Sequence, residues 1–204
     1  MNHIKLVTIY GSPTPPGRLA SVLNVAEKYA VGQSAQVKRT GPSLDESGKF
    51  FFWKEDSLRL IEEADAILIA SPVFRGSIPA ILKELLDLLP VQALRSKPVG
   101  LYVVGNAAEH YLGVERHITD ILSWFGALYV PATCYITAPT LNDGIPANVM
   151  SQIVQLVDST LILSKSLGAK YWDRLRLLKF MGVDVSLSVL FGFVLWVVCP
   201  GEFQ

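Results

Sequence analysis

A segment rich in glycine, serine and proline follows the first apolar run of the chain. It spans residues 11–21 (GSPTPPGRLAS) and carries hydroxyls at Ser12 and Ser21 and a guanidinium at Arg18. Where such a segment opens a helix, the free amides and the helix dipole attract an anion, and an arginine adds a forked, charged donor. The pattern indicates a phosphate site, with a proline-rich turn capped by serine as the alternative. It matches neither the P-loop pattern, whose lysine is missing, nor the GxGxxG dinucleotide pattern.

A second segment, residues 71–79 (SPVFRGSIP), follows a run that is apolar throughout. Pro72 restrains the preceding serine to extended geometry. Phe74 supplies an aromatic face, and Gly76 is flexible enough for backbone amides to approach a flat ring system. We interpret the segment as part of a binding site for a planar ring. The alternative is a plain strand-to-helix connection in which Ser77 caps the helix.

A third small segment, residues 104–110 (VGNAAEH), also lies at the end of a strand-like run. Gly105 and Asn106 either border the same site or form only a tight turn. The lone His110 at its end is interpreted as structural. The sequence contains no Ser-His-Asp pattern, no paired catalytic carboxylates and no metal-ligand spacing. We therefore predict no catalytic proton donor and no metal site.

Strand-like and helix-like stretches alternate along the chain, and they determine where these segments lie. Apolar or β-branched runs predict strands at residues 4–10, 36–39, 66–70, 98–104 and 132–137. Apolar residues at helical spacing predict helices at residues 18–30, 57–63, 78–89, 110–125 and 145–167. Residues 40–53 are predicted to be a loop.

A strand–helix unit repeated in this way predicts a parallel sheet with helices on both faces. We expect a flavodoxin-like, doubly wound, five-stranded parallel sheet with strand order 2-1-3-4-5. Ligands of such folds bind outside the carboxyl ends of the strands, where the strand order reverses. All three segments follow predicted strands at that edge.

The composition limits the classes of function. The chain has 204 residues, of which 50% are hydrophobic and 18% charged, so one globular domain is expected, over residues 1–170. Lys plus Arg equals Asp plus Glu, 18 each, which argues against a nucleic-acid partner. Cys134 and Cys199 lie far apart, and residues 4–10 are too short for a signal peptide, so we expect a cytoplasmic protein.

The C-terminal residues 171–204 are expected to form a separate tail. Basic residues precede an uncharged run at residues 185–199. That run is shorter than the roughly 20 residues of a spanning helix. Burial in an oligomer interface, a tail peculiar to this chain and, less favoured, tail-mediated membrane association remain the alternatives.

The three segments together resemble the NADPH-dependent FMN reductases, and among them the two-component flavin reductases of sulfonate utilisation. Gly11-Ser12-Pro13 with Arg18 and Ser21 resembles their phosphate loop. Residues 71–90 (SPVFRGSIPAILKELLDLLP) resemble a long, specific stretch of the same family. Two departures are Thr14, where these reductases often have arginine, and Phe74, where tyrosine is usual. A third is Arg116-His117, in a helix that contributes to the subunit interface of relatives.

The resemblance implies an NADPH- or NADH-dependent FMN reductase that forms a homo-oligomer and supplies reduced flavin, for example to a monooxygenase. Its implied cofactor-binding residues, which surround the FMN phosphate and ring, are Ser12, Arg18, Leu19, Ser21, Pro72, Val73, Phe74, Gly76, Ser77, Gly105 and Asn106. One alternative is an enzyme that retains FMN and reduces quinones, azo dyes or metal oxyanions. A flavodoxin-type electron carrier is less favoured, because the chain lacks its threonine-rich loop and acidic balance.

Overall fold

The structure is a computed structural model that describes residues 3–14, 16–131 and 133–167. Contacts divide the chain into a unit of Met1–Lys165 and a unit of Ser166–Gln204. The predicted tail, including residues 185–199, lies outside the described residues. Within the described ranges, no helix is both long enough and apolar enough to cross a membrane.

Eight strands and five α-helices are described in these ranges. The strands are β1 (Lys5–Tyr10), β2 (Gln36–Thr40), β3 (Ser43–Leu44), β4 (Phe51–Phe52), β5 (Ala66–Pro72), β6 (Pro98–Gly105), β7 (Leu128–Tyr129) and β8 (Cys134–Thr137). The α-helices are α1 (Arg18–Gly32), α2 (Glu55–Glu62), α3 (Ala80–Leu88), α4 (Tyr111–Trp124) and α5 (Ala147–Leu167). Short 3-10 turns occupy Ala108–His110 and Ala138–Leu141.

The main sheet is parallel and has the order β2-β1-β5-β6, with β7 and β8 both pairing with β6. The flavodoxin-like architecture is therefore confirmed, but the described sheet has six strands where five were predicted. The fifth position is divided between two segments: β7 pairs with the start of β6, and β8 with its end. Pro131 lies between them and has no N–H to continue the ladder.

Strand β5 is buried on both faces, as its continuous apolar run predicts. Leu68 and Ala70 pack in the core beneath α1 and α5. Ile67 and Ile69 point the other way, into the core that α2, α3 and α4 cover. A shift of β5 by one residue would turn these side chains to the wrong face, so its register is fixed. In that register Tyr10 of β1 pairs with Ala70, and Val104 of β6 pairs with Pro72, so the carboxyl ends of the three strands lie close together.

The segment predicted as a loop at residues 40–53 contains an antiparallel hairpin of β3 and β4. The Asp45 carboxylate accepts bonds from the amides of Lys49 and Phe50, at 3.0 and 3.1 Å, and so closes its turn. Trp53 then anchors the hairpin, because its indole N–H donates a 2.7 Å bond to the carbonyl of Ile81. Two-residue strands are too short to show alternation, which is why the sequence did not predict them.

Candidate functional site

The three sequence segments meet at the carboxyl edge of the sheet. The amide of Gly11 donates a 2.8 Å bond to the carbonyl of Ala70 and so ties the first segment to β5. The amide of Val73 donates a 3.0 Å bond to Val104 and ties the second segment to β6. A Cβ on Gly11 would lie 2.8 Å from Leu82 Cδ2 and 3.0 Å from the carbonyl oxygen of Ala70, so a larger residue would fit only if these neighbours moved. The fold thus brings all three segments side by side.

The first segment presents a pair of hydroxyls. Ser12 is only 2% exposed, and its Oγ lies 2.7 Å from Oγ1 of Thr14. The amide of Thr14 also donates to Ser12 Oγ, at 3.2 Å. Tyr10 donates to the Thr14 carbonyl at 3.2 Å, which fixes the loop backbone. Thr14, which departs from the arginine of similar reductases, therefore adds a hydroxyl beside Ser12.

Helix α1 begins at Arg18, immediately after this loop. Its N-cap, Gly17, makes no side-chain capping bond, and the first turn has no acidic residue. The hydroxyl of Ser21 donates to the Arg18 carbonyl at 2.7 Å. The side chain of Leu19 is 6% exposed and packs in the core, so only its backbone amide could serve a ligand.

The Arg18 guanidinium contacts a fourth segment that sequence reasoning did not include. Its Nη1 donates to Asn142 Oδ1 at 2.9 Å and to the carbonyl of Ala138 at 3.3 Å. Both acceptors lie in or just after the 3-10 turn that follows β8. They are 124 and 120 residues from Arg18, so no local pattern could have indicated them.

The second segment folds into a tight turn of Phe74, Arg75, Gly76 and Ser77, hereafter turn 74–77. Phe74 and Ser77 exchange backbone bonds of 2.8 and 3.0 Å. Arg75 has φ 52° and Gly76 has φ 74°, as in a type I′ turn. Phe74 is 43% exposed, so the turn presents an aromatic ring to solvent next to Pro72 and Val73.

The third segment begins at Gly105, the last residue of β6. A Cβ there would lie 2.0 Å from the hydroxyl oxygen of Tyr135 and 3.0 Å from Val73 Cγ2. The missing side chain thus gives room to Tyr135, which donates a hydrogen bond to the Ala107 carbonyl. Burial, and then the charge of Glu109, raise the pKa of Tyr135, so this tyrosine is a neutral donor near pH 7. Asn106 is exposed.

A cleft of about 450 Å³ lies beside the edge strand β8. Its walls come from β8, the preceding connection, the start of α4 and one side of α5, and it contains none of the predicted site residues. The lining residues are Ala108, Tyr111, Pro131, Thr133, Cys134, Tyr135, Gln152, Gln155, Leu156 and Ser159. Burial raises the pKa of Cys134 to about 12, so its thiol stays protonated and unreactive.

The residues at the carboxyl edge fit the phosphate of FMN. The uncapped first turn of α1 offers backbone amides, Ser12 and Thr14 offer hydroxyls, and Arg18 offers a charge. This donor set suits an anion. Turn 74–77 follows β5 and Gly105 ends β6, so both lie at this same edge of the sheet.

Comparisons with known proteins show which family the sequence resembles. The family model described as NADPH-dependent FMN reductase matches residues 4–142. A segment of 89 residues is 37% identical to the NADH-dependent FMN reductase SfnF of Pseudomonas fluorescens, covering 44% of this chain and 48% of that protein. A segment of 126 residues is 29% identical to the FMN reductase (NADPH) of Escherichia coli, covering 59% and 66%.

Solved structures support the fold. The apo form of an NADH:FMN oxidoreductase (EMOB) superposes with a TM-score of 0.67 at 19% identity, covering 82% of this chain and 91% of that one. A flavodoxin from the domain Archaea superposes with a TM-score of 0.58 at 13% identity, covering 78% and 99%. In sequence, the chain spans about half the length of SfnF. With the family model matched over residues 4–142, this chain belongs to the NADPH-dependent FMN reductase family.

Proposed function

We propose that this chain catalyses the reduction of FMN by NADH or NADPH. In that reaction the hydride passes from C4 of the nicotinamide to N5 of the flavin, and the two nucleotides supply the chemistry. The protein contributes binding and alignment of two flat rings. Under this proposal no protein side chain has to donate a proton in the hydride-transfer step.

The observation that carries this proposal is the donor set at the start of α1. Ser12, Thr14 and Arg18 lie at the start of α1, whose first turn no side chain caps. The bond from Gly11 to Ala70 ties this loop to β5, the strand that leads into the turn of Phe74. Under the proposal, Ser12, Arg18, Ser21 and the backbone of Leu19 hold the phosphate. Pro72, Val73, Phe74, Gly76 and Ser77 lie along the isoalloxazine ring, with Gly105 and Asn106 at its border.

The hydrogen bonds already made by these donors favour FMN as an exchangeable substrate. The Ser12 hydroxyl pairs with Thr14, Ser21 donates to a backbone carbonyl, and Arg18 bonds to Asn142. A phosphate would replace these bonds, so their loss offsets part of the free energy that the phosphate gains. We expect a dissociation constant in the micromolar range, about 8 kcal/mol of binding free energy. Exchange of this kind suits an enzyme that releases reduced flavin to a partner such as a monooxygenase.

Two nicotinamide substrates are compatible with the proposal. Relatives of this chain are named NADH-dependent FMN reductase and FMN reductase (NADPH). We therefore propose that both NADH and NADPH serve, that the enzyme acts as a homo-oligomer, and that it works in the cytoplasm.

Anaerobic turnover tests the proposal. Purified protein is dialysed, mixed with excess NADPH or NADH and with increasing FMN, and the flavin absorbance is followed. Reduced FMN should accumulate well beyond one equivalent per subunit, and in air NADPH oxidation should depend on added FMN and saturate with it. The controls are a heat-denatured sample and a mixture of NADPH or NADH with FMN that contains no protein.

The opposite result identifies the rival enzyme. Stoichiometric FMN that survives dialysis, with quinone reduction that needs no added flavin, would mean that FMN is retained as a cofactor. Absence of both flavin binding and NADPH oxidation would exclude both the reductase that releases FMN and the one that retains it.

A further inference from the structure

Turn 74–77 is fastened to helix α4 at two points. Ser77 Oγ lies 2.7 Å from Nδ1 of His117, a hydrogen-bond distance. The other contact is between backbones, because a Cβ on Gly113 would lie 2.4 Å from the carbonyl oxygen of Gly76. No side chain other than the hydrogen of glycine allows α4 to approach the turn so closely. Both anchoring residues lie on α4, one helical turn apart.

The conformation of this turn depends on such support. A type I′ turn needs positive φ at both central residues and favours Asn-Gly there. Here Arg75 holds the first central position at φ 52°, in the left-handed region that disfavours a residue with a bulky side chain. Two short backbone bonds between Phe74 and Ser77 close the turn. The contacts with α4 hold it from outside.

We propose that His117 is a positioning residue for flavin. Through its hydrogen bond with Ser77 it keeps turn 74–77 in the geometry that presents Phe74 and the Gly76 backbone to the isoalloxazine ring. The inference rests on the proposed function, since it concerns the same site. It goes further by assigning a role in ring binding to an exposed histidine outside that site.

The role has a distinct signature, because the turn faces the ring and the first turn of α1 faces the phosphate. A loosened turn weakens contacts that FMN and riboflavin share. Loss of His117 should therefore raise the dissociation constants of FMN and riboflavin by the same factor. A phosphate-binding residue instead affects only FMN.

Flavin binding, followed by quenching of flavin fluorescence, tests the proposal with Ser77→Ala, His117→Ala and the double variant. Each single variant should raise the dissociation constants of FMN and riboflavin roughly 3- to 10-fold, the effect of one neutral hydrogen bond. The double variant should be no weaker than either single one, because both remove the same bond. In turnover, the KM for FMN should rise while kcat changes little.

Two further variants separate positioning from general stability. His117→Asn places a polar atom near the position of Nδ1 and should restore wild-type affinity. Arg75→Asn creates the favoured Asn-Gly turn, so His117→Ala in that background should weaken flavin less than twofold. Asp120→Ala, at an exposed position of the same helix, is the matched control and should leave binding unchanged.

Three outcomes would overturn the proposal. One is unchanged flavin affinity in His117→Ala, with or without a lower melting temperature. Another is additive loss in the double variant. The third is failure of His117→Asn to restore binding. If the wild-type protein binds and reduces FMN, any of these results removes only the role of His117. If the wild-type protein binds no flavin, the proposed function falls as well.

Discussion

Tyr129 in β7 donates a 2.6 Å hydrogen bond to the carboxylate of Glu115 in α4. The same carboxylate oxygen accepts a 2.9 Å bond from Thr133, just before β8. The Glu115 side chain thereby links β7 and the residue before β8, which lie on either side of Pro131, to helix α4. The positions of β7 and β8 are therefore set by hydrogen bonds to the Glu115 carboxylate on α4, in addition to their pairing with β6.

The first prediction concerns pH and Glu115. Burial alone would raise its pKa, but hydrogen bonds from Tyr111, Tyr129 and Thr133 outweigh that effect and lower the pKa below its usual value. A lowered folded-state pKa contributes stability above the unfolded value of about 4.3, and this is lost as pH falls through the folded pKa. Glu115→Gln should therefore destabilise the fold near neutral pH, and the loss should shrink progressively as the pH falls below the unfolded value.

Urea midpoints at several pH values measure this effect. Glu46→Gln, at an exposed position, is the control and should show no such dependence. An equal loss for Glu115→Gln at both ends of the pH range would contradict the prediction.

The second prediction concerns Arg18 and the phosphate. Loss of a charge-assisted contact costs about 1.5–3 kcal/mol, so Arg18→Ala should weaken FMN roughly 10- to 150-fold. Riboflavin, which has no phosphate, should be affected little. Titration calorimetry with both flavins provides the comparison.

Asn142→Ala is the matched control for Arg18, because it removes the 2.9 Å bond from the guanidinium but keeps the charge. FMN affinity should remain within about twofold of wild type or improve. Equal weakening of FMN and riboflavin in Arg18→Ala would exclude a phosphate contact.

The third prediction tests the packing of α5 on the sheet. A Cβ on Gly100, in β6, would lie 2.8 Å from both Leu68 Cδ2 and Thr160 Oγ1. Gly100→Ala should therefore lower the free energy of unfolding by about 1–3 kcal/mol through overpacking. Gly32→Ala, where a Cβ meets open space at the end of α1, should be neutral or slightly stabilising. Urea denaturation with an unchanged m-value makes the comparison, and equal midpoints for the two variants would argue against close packing at Gly100.

The fourth prediction is that the protein forms a homo-oligomer. The prediction is based on the large number of apolar residues in the chain. Some of them are buried within the monomer, including Trp53 and one face of α3. Large apolar side chains nonetheless remain at the surface, with Trp124 78% exposed and Leu88 and Val91 also exposed. Light scattering at micromolar concentration should give a mass above that of the monomer. Trp124→Glu should lower that mass and Lys28→Glu should not, whereas a strictly monomeric wild type would contradict the prediction.

The positions of the three segments could be predicted because their strands have clear patterns. A continuous apolar run such as Ile67–Ile69 identifies a strand covered on both faces, and parallel order then places its end at the binding edge. The hairpin of β3 and β4 escaped prediction because each strand has only two residues. The strand β7 escaped for the same reason.

Contacts between residues far apart in the sequence were not predicted, for a different reason. Arg18 meets Asn142, and Ser77 meets His117, through tertiary packing that no local spacing encodes. One local signal was available: Gly113 lies inside a predicted helix, where glycine is unfavourable and usually marks close packing. Its partner, Gly76, could be named only once the fold had brought α4 against turn 74–77.

The divided strand position on β6 has a consequence for how copies of this protein can meet. An intact outer strand would offer a row of unpaired amides and carbonyls to a neighbouring chain and invite runaway sheet extension. Here two short strands with a proline between them leave no continuous template on that side. At the opposite side, β2 carries the charged Lys38 and Arg39, the latter held at 2.7 Å by Glu27. Because neither outer edge of the sheet offers a continuous template, we expect any self-association of this domain to use surfaces other than the sheet edges.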